Sequence, residues 1–276
     1  EPYLTSDYRL MLEAPELIIR GLQYIMKMVN CNQGIIAIED NKMDAYELMR
    51  EKALPYEHIS VVACKTKYPQ GSEKQLIYAC TGKELPFGKL PLDLGVLVNN
   101  VGTAAAICNA VEKGIPLVSR VVTVSGDGIK NPGNYLVPIG TLFKDLLVQC
   151  GGFTGEVEKI IAGGPMMGKA VYTYETPVIK GTSGILVMKR AAAKDNKERN
   201  CVRCAKCISA CPLRLRPTTL ATLAKYNKWA DLEVNKVMHC IECGSCAYVC
   251  PAHIPIVQYI RRGKQEIAKA KAKAAQ

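Results

Sequence analysis

Eight of the 13 cysteines in this 276-residue chain form two runs of identical spacing near the C-terminus. Each run reads C-x-x-C-x-x-C-x-x-x-C-P. Three thiolates two residues apart wrap one face of an iron–sulfur cubane, while the fourth, before the proline, reaches the neighbouring cluster. The spacing therefore predicts two 4Fe-4S clusters with interleaved ligands. One takes Cys201, Cys204, Cys207 and Cys250, and the other takes Cys240, Cys243, Cys246 and Cys211.

Zinc is the alternative metal for these cysteines. Zinc sites pair their ligands across a long spacer to close one tetrahedron, and they need neither a third cysteine nor a trailing proline. His239 precedes Cys240, and we expect it to tune the cluster by hydrogen bonding and not to ligate it. The remaining cysteines lack mutual spacing and are expected to be small buried residues: Cys31, Cys64, Cys80, Cys108 and Cys150.

The positive charge of the chain is confined to its cysteine-rich part. The whole chain carries 36 basic and 25 acidic side chains, a net charge of +11. Residues 1–188 hold 18 basic and 19 acidic side chains, and residues 189–276 hold 18 and 6. This excess favours docking of an acidic partner or an anionic lipid. Nucleic acid is not expected as a partner, because no stacking pattern of aromatic residues accompanies the charge.

The composition is typical of a soluble globular protein, with 49% hydrophobic and 22% charged residues. The longest uncharged stretch, residues 94–111, contains asparagines and a threonine that would be costly in hydrocarbon, so no transmembrane helix is expected. Clustered cysteines without a secretory leader indicate a reducing, cytosolic compartment.

Alternating helices and strands predict a parallel α/β sheet over residues 1–117. The apolar pattern places helices at 14–29, 41–53, 72–79 and 103–111, and strands at 34–38, 59–64 and 94–98. Ligands bind at the carboxyl ends of parallel strands, and anions bind at helix N-termini. Residues 68–74 and 99–103 fit such positions, although each is also compatible with an ordinary strand-to-helix connection.

The pattern changes after Pro116. Residues 118–190 predict a small β-grasp module of four strands, at 121–124, 135–138, 159–162 and 184–188, around one helix at 141–150. A charged linker is expected at 191–199, inside an α-helical two-cluster ferredoxin domain at 191–263. One inward-facing helix is expected between the cysteine motifs, carrying Leu220, Leu223, Ala224 and Trp229. Residues 264–276 are expected to be a frayed basic tail without a function.

Six further segments, together with both cysteine motifs, make nearly the whole chain resemble the C subunit of the Rnf ion-translocating oxidoreductases. They are residues 1–7 (EPYLTSD), 67–78 (KYPQGSEKQLIY), 98–103 (VNNVGT), 130–135 (KNPGNY), 163–168 (GGPMMG) and 180–186 (KGTSGIL).

The resemblance implies an NAD:ferredoxin oxidoreductase subunit that binds FMN and NAD(H) in a fold shared with the flavin subunit of complex I. It implies a peripheral protein on the cytoplasmic face of the cell membrane, with ferredoxin or flavodoxin as electron partner. Membrane-complex partners, including a ferredoxin-type iron–sulfur subunit, would translocate Na+ or H+. The resemblance assigns Glu1 to nucleotide binding, and it assigns these residues to the flavin: Tyr68, Gly71, Glu73, Asn99, Asn100 and Thr103.

The chain departs from the wider superfamily at three points. Lys74 stands where a second acid is usual, and Gly102 follows the asparagine pair where glutamate is usual. The family's glycine-rich flavin and nucleotide loop is expected upstream of Glu1, so the N-terminal part of the flavin core is expected to be missing.

Three alternatives remain open. A cobalamin reductase of a microcompartment shares this architecture, and genes for shell proteins instead of membrane subunits would indicate it. A non-enzymatic iron–sulfur relay would bind neither flavin nor NADH. A basic zinc module that binds nucleic acid would contain zinc and lack the brown colour of iron–sulfur proteins.

Overall fold

A computed structural model describes residues 1–190 and 197–274 of the chain. The chain divides into two units, Glu1–Ala193 and Lys194–Gln276. Two hydrophobic cores lie in the first unit and a third lies in the second. The predicted linker at 191–199 lies mostly outside the described residues.

A two-stranded parallel sheet covered by helices forms the first part of the first unit. Strand β1 (Gly34–Glu39) pairs with β2 (Ile59–Cys64) over the full length of both strands. The helices are α1 (Ser6–Glu13), α2 (Pro15–Met28), α3 (Met43–Ala53), α4 (Glu73–Thr81) and α5 (Val101–Lys113). The predicted α/β class is confirmed, as are the helices and strands predicted up to residue 81 and the helix α5.

The sequence of helix α2 explains both where the helix begins and which of its faces is buried in the core. Pro15 occupies its first turn, where the missing N–H is not needed, and Ile18, Ile19 and Ile25 share a buried face. Gly21 belongs to the same buried face and contacts α5. A Cβ on Gly21 would lie 1.9 Å from the Ala104 carbonyl oxygen, so the two helix backbones touch at this glycine.

The strand predicted at 94–98 is wrong. Pro91–Leu94 is a 3-10 helix, Gly95 adopts a φ of 68°, and the Val96 N–H donates to the Pro91 carbonyl. The irregular backbone then continues to α5, and no described strand pairs with it. An apolar run without a clear period does not distinguish a strand from a half-buried loop, which explains the error.

A mixed five-stranded sheet with one helix forms the rest of the first unit. Its elements are β3 (Ser119–Ser125), β4 (Gly133–Pro138), α6 (Phe143–Gln149), β5 (Val157–Ala162), β6 (Lys169–Val171) and β7 (Gly184–Lys189). The strand order is β4-β3-β7-β5-β6, with β3 and β7 parallel and the other pairs antiparallel. Residues such as Phe143, Val122 and Ile185 fill the core between helix and sheet. The predicted count of four strands is wrong, because β6 has only three residues and gives no sequence pattern.

Among its described residues, the second unit consists of helices joined by loops and contains no strand. It contains α7 (Lys206–Ser209), α8 (Pro217–Lys225), α9 (Trp229–Val234), α10 (Ser245–Tyr248) and α11 (Ile256–Ala274), with a 3-10 helix at Val237–His239. The segment between the cysteine motifs thus holds two α-helices where one was expected. Leu220 and Ala224 of α8 are buried as predicted, whereas Leu223 and Trp229 are only half-buried.

Helix α11 corrects the expectation of a frayed tail from residue 264. Ile256, Ile260, Gly263 and Ile267 lie three or four residues apart and are all buried, so the helix packs its apolar face well past residue 263. Basic residues such as Arg262, Lys269 and Lys273 lie on the exposed face. Within the described residues, no helix combines the length and the apolar character needed to cross a bilayer.

Candidate functional site

The cysteines Cys201, Cys204, Cys207 and Cys250 line one cavity of about 480 Å³ in the second unit. The first three come from the loop before α7 and from α7 itself, and the fourth follows α10. Cys201 and Cys204 are exposed, whereas Cys207 and Cys250 are half-buried. These are the four cysteines that the spacing assigns to one cluster.

The other four cysteines, Cys211, Cys240, Cys243 and Cys246, line a second cavity of about 20 Å³. Its remaining wall is mostly apolar and includes Leu220 of α8. Cys243 and Cys246 are buried, so this cavity is more enclosed than the first. Each cavity therefore receives three cysteines from one motif and the last cysteine of the other.

Both motifs fold the same way because both loops contain two residues in the left-handed region. These are Arg203 and Ala205 in the first motif and Glu242 and Gly244 in the second. Each pair turns the chain into a short helix, α7 or α10, whose first turn carries the third cysteine. The Glu242 N–H donates to the Cys240 Sγ at 3.3 Å, so the loop backbone points a donor at the sulfur.

Burial disfavours the thiolate form of several of these cysteines. It raises the pKa of Cys246 to about 12, with Cys240 and Cys243 adding to the effect. Burial also raises the pKa of Cys207 and of Cys240. A bound cationic centre is what would hold such thiols ionised, because metal binding releases their protons.

The donor set fits iron–sulfur clusters, because each cavity is lined by four cysteines, whose sulfur atoms are soft ligands. His239 lies in the 3-10 helix before Cys240 and is not among the residues that line either cavity.

The loop that carries Tyr68, Gly71 and Glu73 joins β2 to α4, at the carboxyl end of the parallel sheet. Tyr68 is half-buried, and Gly71 and Glu73 are exposed or partly exposed. Apart from its two chain neighbours, no described residue has an atom within 4 Å of the position that a Cβ on Gly71 would take, so the loop surface there is open. The buried Oε1 of Gln75 in the first turn of α4 has no hydrogen-bond partner in the part of the chain that the structure describes. The open loop surface at the N-terminus of α4 leaves room for a polar ligand, to which the Gln75 Oε1 could serve as a hydrogen-bond acceptor.

The two asparagines before α5 have different surroundings. The Asn100 Oδ1 accepts from the Gly102 N–H at 2.8 Å and caps α5, while its Nδ2 donates to Asp7 at 2.7 Å. Asn99 is exposed, and no partner for its side chain is found within the described residues. Thr103 is exposed in the first turn of α5. Of the pair, Asn99 therefore has its amide available for a ligand.

Glu1 contacts the segment 163–168. Its carboxylate accepts from the backbone N–H groups of Met166 at 2.8 Å and Met167 at 3.2 Å. A Cβ on Gly164 would lie 2.3 Å from the same carboxylate oxygen, so the glycine permits this contact. The structure thus pairs Glu1 with a backbone loop far away in sequence.

Residues 1–7 contact several of the segments that carry the resemblance. These contacts were not predicted from the sequence. The Thr5 and Ser6 N–H groups donate to the Thr123 Oγ1 at 3.0 and 2.9 Å, and Thr5 also contacts Asn134. With the bonds of Asp7 and Glu1, the N-terminal segment links α5 to the five-stranded sheet. Such contacts depend on the tertiary fold and have no local sequence signal.

The remaining cysteines differ from one another. Cys64, Cys108 and Cys150 are buried as predicted, but Cys31 is exposed and donates to the Gln33 carbonyl at 3.1 Å, so the prediction is wrong for it. Cys80 is half-buried, and burial followed by the nearby Cys64 raises its pKa to about 11. The fold thus brings together two cysteines that show no spacing relation.

Three family models match consecutive parts of the chain. The Nuo51 FMN-binding domain matches residues 1–109, the SLBB domain matches 121–170, and the 4Fe-4S dicluster domain matches 193–251. They support FMN and iron–sulfur clusters as cofactors. A solved structure, an NAD+-reducing [NiFe]-hydrogenase in its H2-reduced state, covers 98% of this chain and 54% of its own with a TM-score of 0.61. At 17% identity, this likeness shows the fold alone.

Curated relatives align over most of the chain. The C subunit of the proton-translocating ferredoxin:NAD(+) oxidoreductase complex of Clostridium ljungdahlii is 51% identical over 96% of the chain and 58% of its own length. The Na(+)-translocating counterpart of Acetobacterium woodii is 47% identical over 97% of the chain and 60% of its own length. The C subunit of an ion-translocating oxidoreductase complex of Haemophilus influenzae is 42% identical over 99% of the chain and 42% of its own length.

The chain thus spans between 42% and 60% of the length of these relatives. Its order of domains, its two sets of cysteines and its identity to the relatives agree with one another. Over the residues that align, the chain is similar to the C subunits of the ion-translocating oxidoreductase complexes.

Proposed function

We propose that the second unit holds two 4Fe-4S clusters. One is ligated by Cys201, Cys204, Cys207 and Cys250, and the other by Cys240, Cys243, Cys246 and Cys211. The observation that carries this proposal is the sorting of the eight cysteines into two cavities, with the last cysteine of each motif in the other motif's cavity. The spacing rule for two-cluster ferredoxins requires this exchange.

We propose further that residues 1–117 contribute to a flavin and nicotinamide site, residues 118–190 form a β-grasp module that supports it, and residues 191–263 form the ferredoxin domain. Tyr68, Gly71 and Glu73 would line the flavin, and Asn99 and Thr103 would donate to it. Asn100 would position this segment through the cap of α5. Glu1 would meet the nicotinamide nucleotide beside the backbone N–H groups that it now accepts from.

These groups together support one task. Flavin converts the two electrons of a hydride into single electrons, and iron–sulfur cubanes carry single electrons. The chain would provide the shape, the hydrogen bonds and the thiolates that hold both. We therefore propose that it is part of an NAD:ferredoxin oxidoreductase subunit, in a complex whose membrane partners translocate Na+ or H+.

The proposed partners follow from the names of the relatives and from the charge of the second unit. Ferredoxin or flavodoxin would exchange electrons with the complex. A ferredoxin-type iron–sulfur subunit would be one of the other subunits of that complex. The protein would be peripheral, on the cytoplasmic face of the cell membrane. The basic residues of the second unit would favour acidic partners there.

Purification of the full-length protein under anaerobic conditions tests the proposal. We expect about eight iron and eight acid-labile sulfide per chain, as two cubanes require. We also expect saturable binding of FMN and NADH. Zinc in place of iron would refute the cluster assignment, and clusters without any flavin or NADH binding would reduce the protein to an electron relay.

A further inference from the structure

The two cysteine motifs share a backbone but differ in charge at matched positions. Arg203 in the first motif corresponds to Glu242 in the second, and both have a positive φ, 55° and 58°. Lys206 corresponds likewise to Ser245 at the first position of the following short helix. Because the fold of the two loops is the same, the difference in charge is not needed for the shape of either loop.

The charged groups around the second motif are paired within the unit. The Glu242 carboxylate accepts from the Arg261 Nε at 2.8 Å and from the Lys264 Nζ at 2.6 Å. Lys264 also donates to the Cys240 carbonyl at 3.0 Å. Together with the small volume of its cavity, this makes the second site an enclosed one in which the charged residue of the cysteine loop is paired.

The first motif has the opposite character. Arg203 lines the open cavity, Lys206 lies between two of its cysteines in sequence, and the Arg199 N–H donates to the carbonyl of Ala252, another lining residue. We call Arg199, Arg203 and Lys206 the cationic rim. All three are exposed, and none has an acidic partner among the residues that the structure describes.

The nearest acid in sequence does not neutralise the cationic rim. Glu198 accepts from the Lys225 Nζ at 2.9 Å and from the Tyr259 hydroxyl at 2.8 Å. It is the one carboxylate in residues 197–216, which contain six basic residues. The rim therefore keeps its positive charge.

Apolar side chains lie beside the rim. Val202 is 66% exposed and Ile208 38% exposed, and both line the same cavity as the exposed Cys201 and Cys204. Apolar residues framed by charges are typical of a protein interface. The charges alone would be enough to bind lipid headgroups. The apolar pair and the exposed cysteines favour instead a protein partner whose surface is complementary in shape.

We propose that the cationic rim, with Val202 and Ile208, is the docking surface for a small acidic iron–sulfur protein. This rests on the proposed function, because the surface surrounds the site assigned to a cluster. The acidic partner is selected by complementary charge, and the apolar pair fixes its position. Docking here would bring the partner's redox centre close to the exposed cysteines of the first site. The second, enclosed site would not contact the partner.

The matched positions give the test variant. Arg203→Glu combined with Lys206→Ser places in the first motif the residues that the second motif already holds in the same conformation. Lys273→Glu combined with Lys228→Ser is the control, because it changes the net charge equally at two exposed lysines that line neither cavity. Arg199→Glu, outside the cysteine loop, is a second and independent rim variant.

Binding of a purified acidic 4Fe-4S ferredoxin to the full-length, cluster-loaded protein is measured by calorimetry at several salt concentrations. We expect both rim variants to bind about tenfold or more weakly at low salt and the control to bind within about twofold of the wild type. The difference should shrink as salt rises, because salt screens exposed charges. Iron content and visible spectra confirm that each variant keeps both clusters.

Equal binding by the rim variants, the control and the wild type would overturn the docking surface while leaving the clusters in place. Loss of binding to vesicles of phosphatidylcholine and phosphatidylglycerol in the rim variants, with ferredoxin binding unchanged, would also overturn it and assign the rim to a membrane. A wild-type protein without clusters would instead contradict the proposed function, so the two failures are distinguishable.

Discussion

Replacement of Asn100 by alanine separates the structural from the flavin-binding role of the asparagine pair. Asn100 caps α5 through its Oδ1 and holds Asp7 through its Nδ2. The substitution removes both contacts and leaves the Gly102 N–H without its acceptor. Asn99→Ala removes a neighbouring amide that has no partner within the described residues, so the two variants differ in their expected effect on the fold.

The magnitude follows from the two hydrogen bonds of Asn100. Loss of an N-cap costs about 1 kcal/mol, and loss of an exposed hydrogen bond to a carboxylate costs about 0.5–1 kcal/mol. The free energy of unfolding of the first unit should fall by about 1.5–2 kcal/mol. For a unit of this size, that lowers its melting temperature by about 3–8 °C.

Asn100→Ser distinguishes the two contributions. Serine also caps helices, so this variant keeps the bond to Gly102 and loses only the contact with Asp7. We expect it to recover about half of the lost stability. Asn99→Ala should change the free energy of unfolding by less than about 0.5 kcal/mol, as surface substitutions usually do. It should nevertheless weaken FMN binding by about tenfold, the loss expected for one ligand hydrogen bond.

The assay combines thermal unfolding without flavin, hydrogen exchange of the first amides of α5, and FMN titration by fluorescence quenching. Asn100→Ala should raise the exchange of these amides, and Asn99→Ala should not. An unchanged melting temperature in Asn100→Ala would refute the capping role. Unaltered FMN affinity in Asn99→Ala would remove this residue from the flavin site.

Two substitutions test packing and one tests a carboxylate hydrogen bond, and the two packing variants each have a matched control. Gly21→Ala should destabilise the first unit by about 2 kcal/mol, because the added Cβ meets the Ala104 carbonyl and overpacking outweighs the gain in helix propensity; Gly71→Ala, where the space is open, should leave the melting temperature unchanged. The hydrogen bonds of Thr66 lower the pKa of Asp40, so their stabilisation is present above the ordinary value of 3.8 and lost as the pH falls through the lower folded value. Asp40→Asn should abolish this part of the acid-side dependence in a pH series of unfolding midpoints, and an unchanged dependence would contradict it. Ile267→Ala should cost the second unit about 2–4 kcal/mol, because the side chain is buried in α11; Lys269→Ala on the exposed face of that helix is the control, and equal midpoints for the two would indicate that the helix end does not pack.

The cysteine sites were the most accessible feature to sequence reasoning. The ligand sets proposed for them follow from chain geometry over about ten residues, and the proposed grouping of Cys250 with Cys201 follows from a rule on two-cluster domains. The amphipathic helices were equally accessible, since α2 places its isoleucines at helical spacing. In both cases the sequence pattern lies within a short segment, and the structure of that segment agrees with what the pattern predicts.

Features that depend on distant residues were missed. Residues 94–98 have the composition of a buried strand, but pairing requires a neighbouring strand, and among the described strands none lies beside them. The bond of Asn100 to Asp7, the bonds of Glu1 to Met166 and Met167, and the approach of Cys64 to Cys80 all join segments far apart in sequence. Alanine and lysine in residues 264–274 suggested a tail, whereas Ile267 anchors the segment.

The most direct test of whether each cluster takes its fourth ligand from the other motif is low-temperature EPR of reduced variants in which one cysteine at a time is replaced by alanine. Cys204→Ala should remove the spectrum of the first cluster, and Cys243→Ala should remove that of the second. Cys250→Ala should match the spectrum of Cys204→Ala, although Cys250 belongs to the second motif in sequence. A Cys250→Ala spectrum that instead matches Cys243→Ala would contradict the assignment of four cysteines to each cavity.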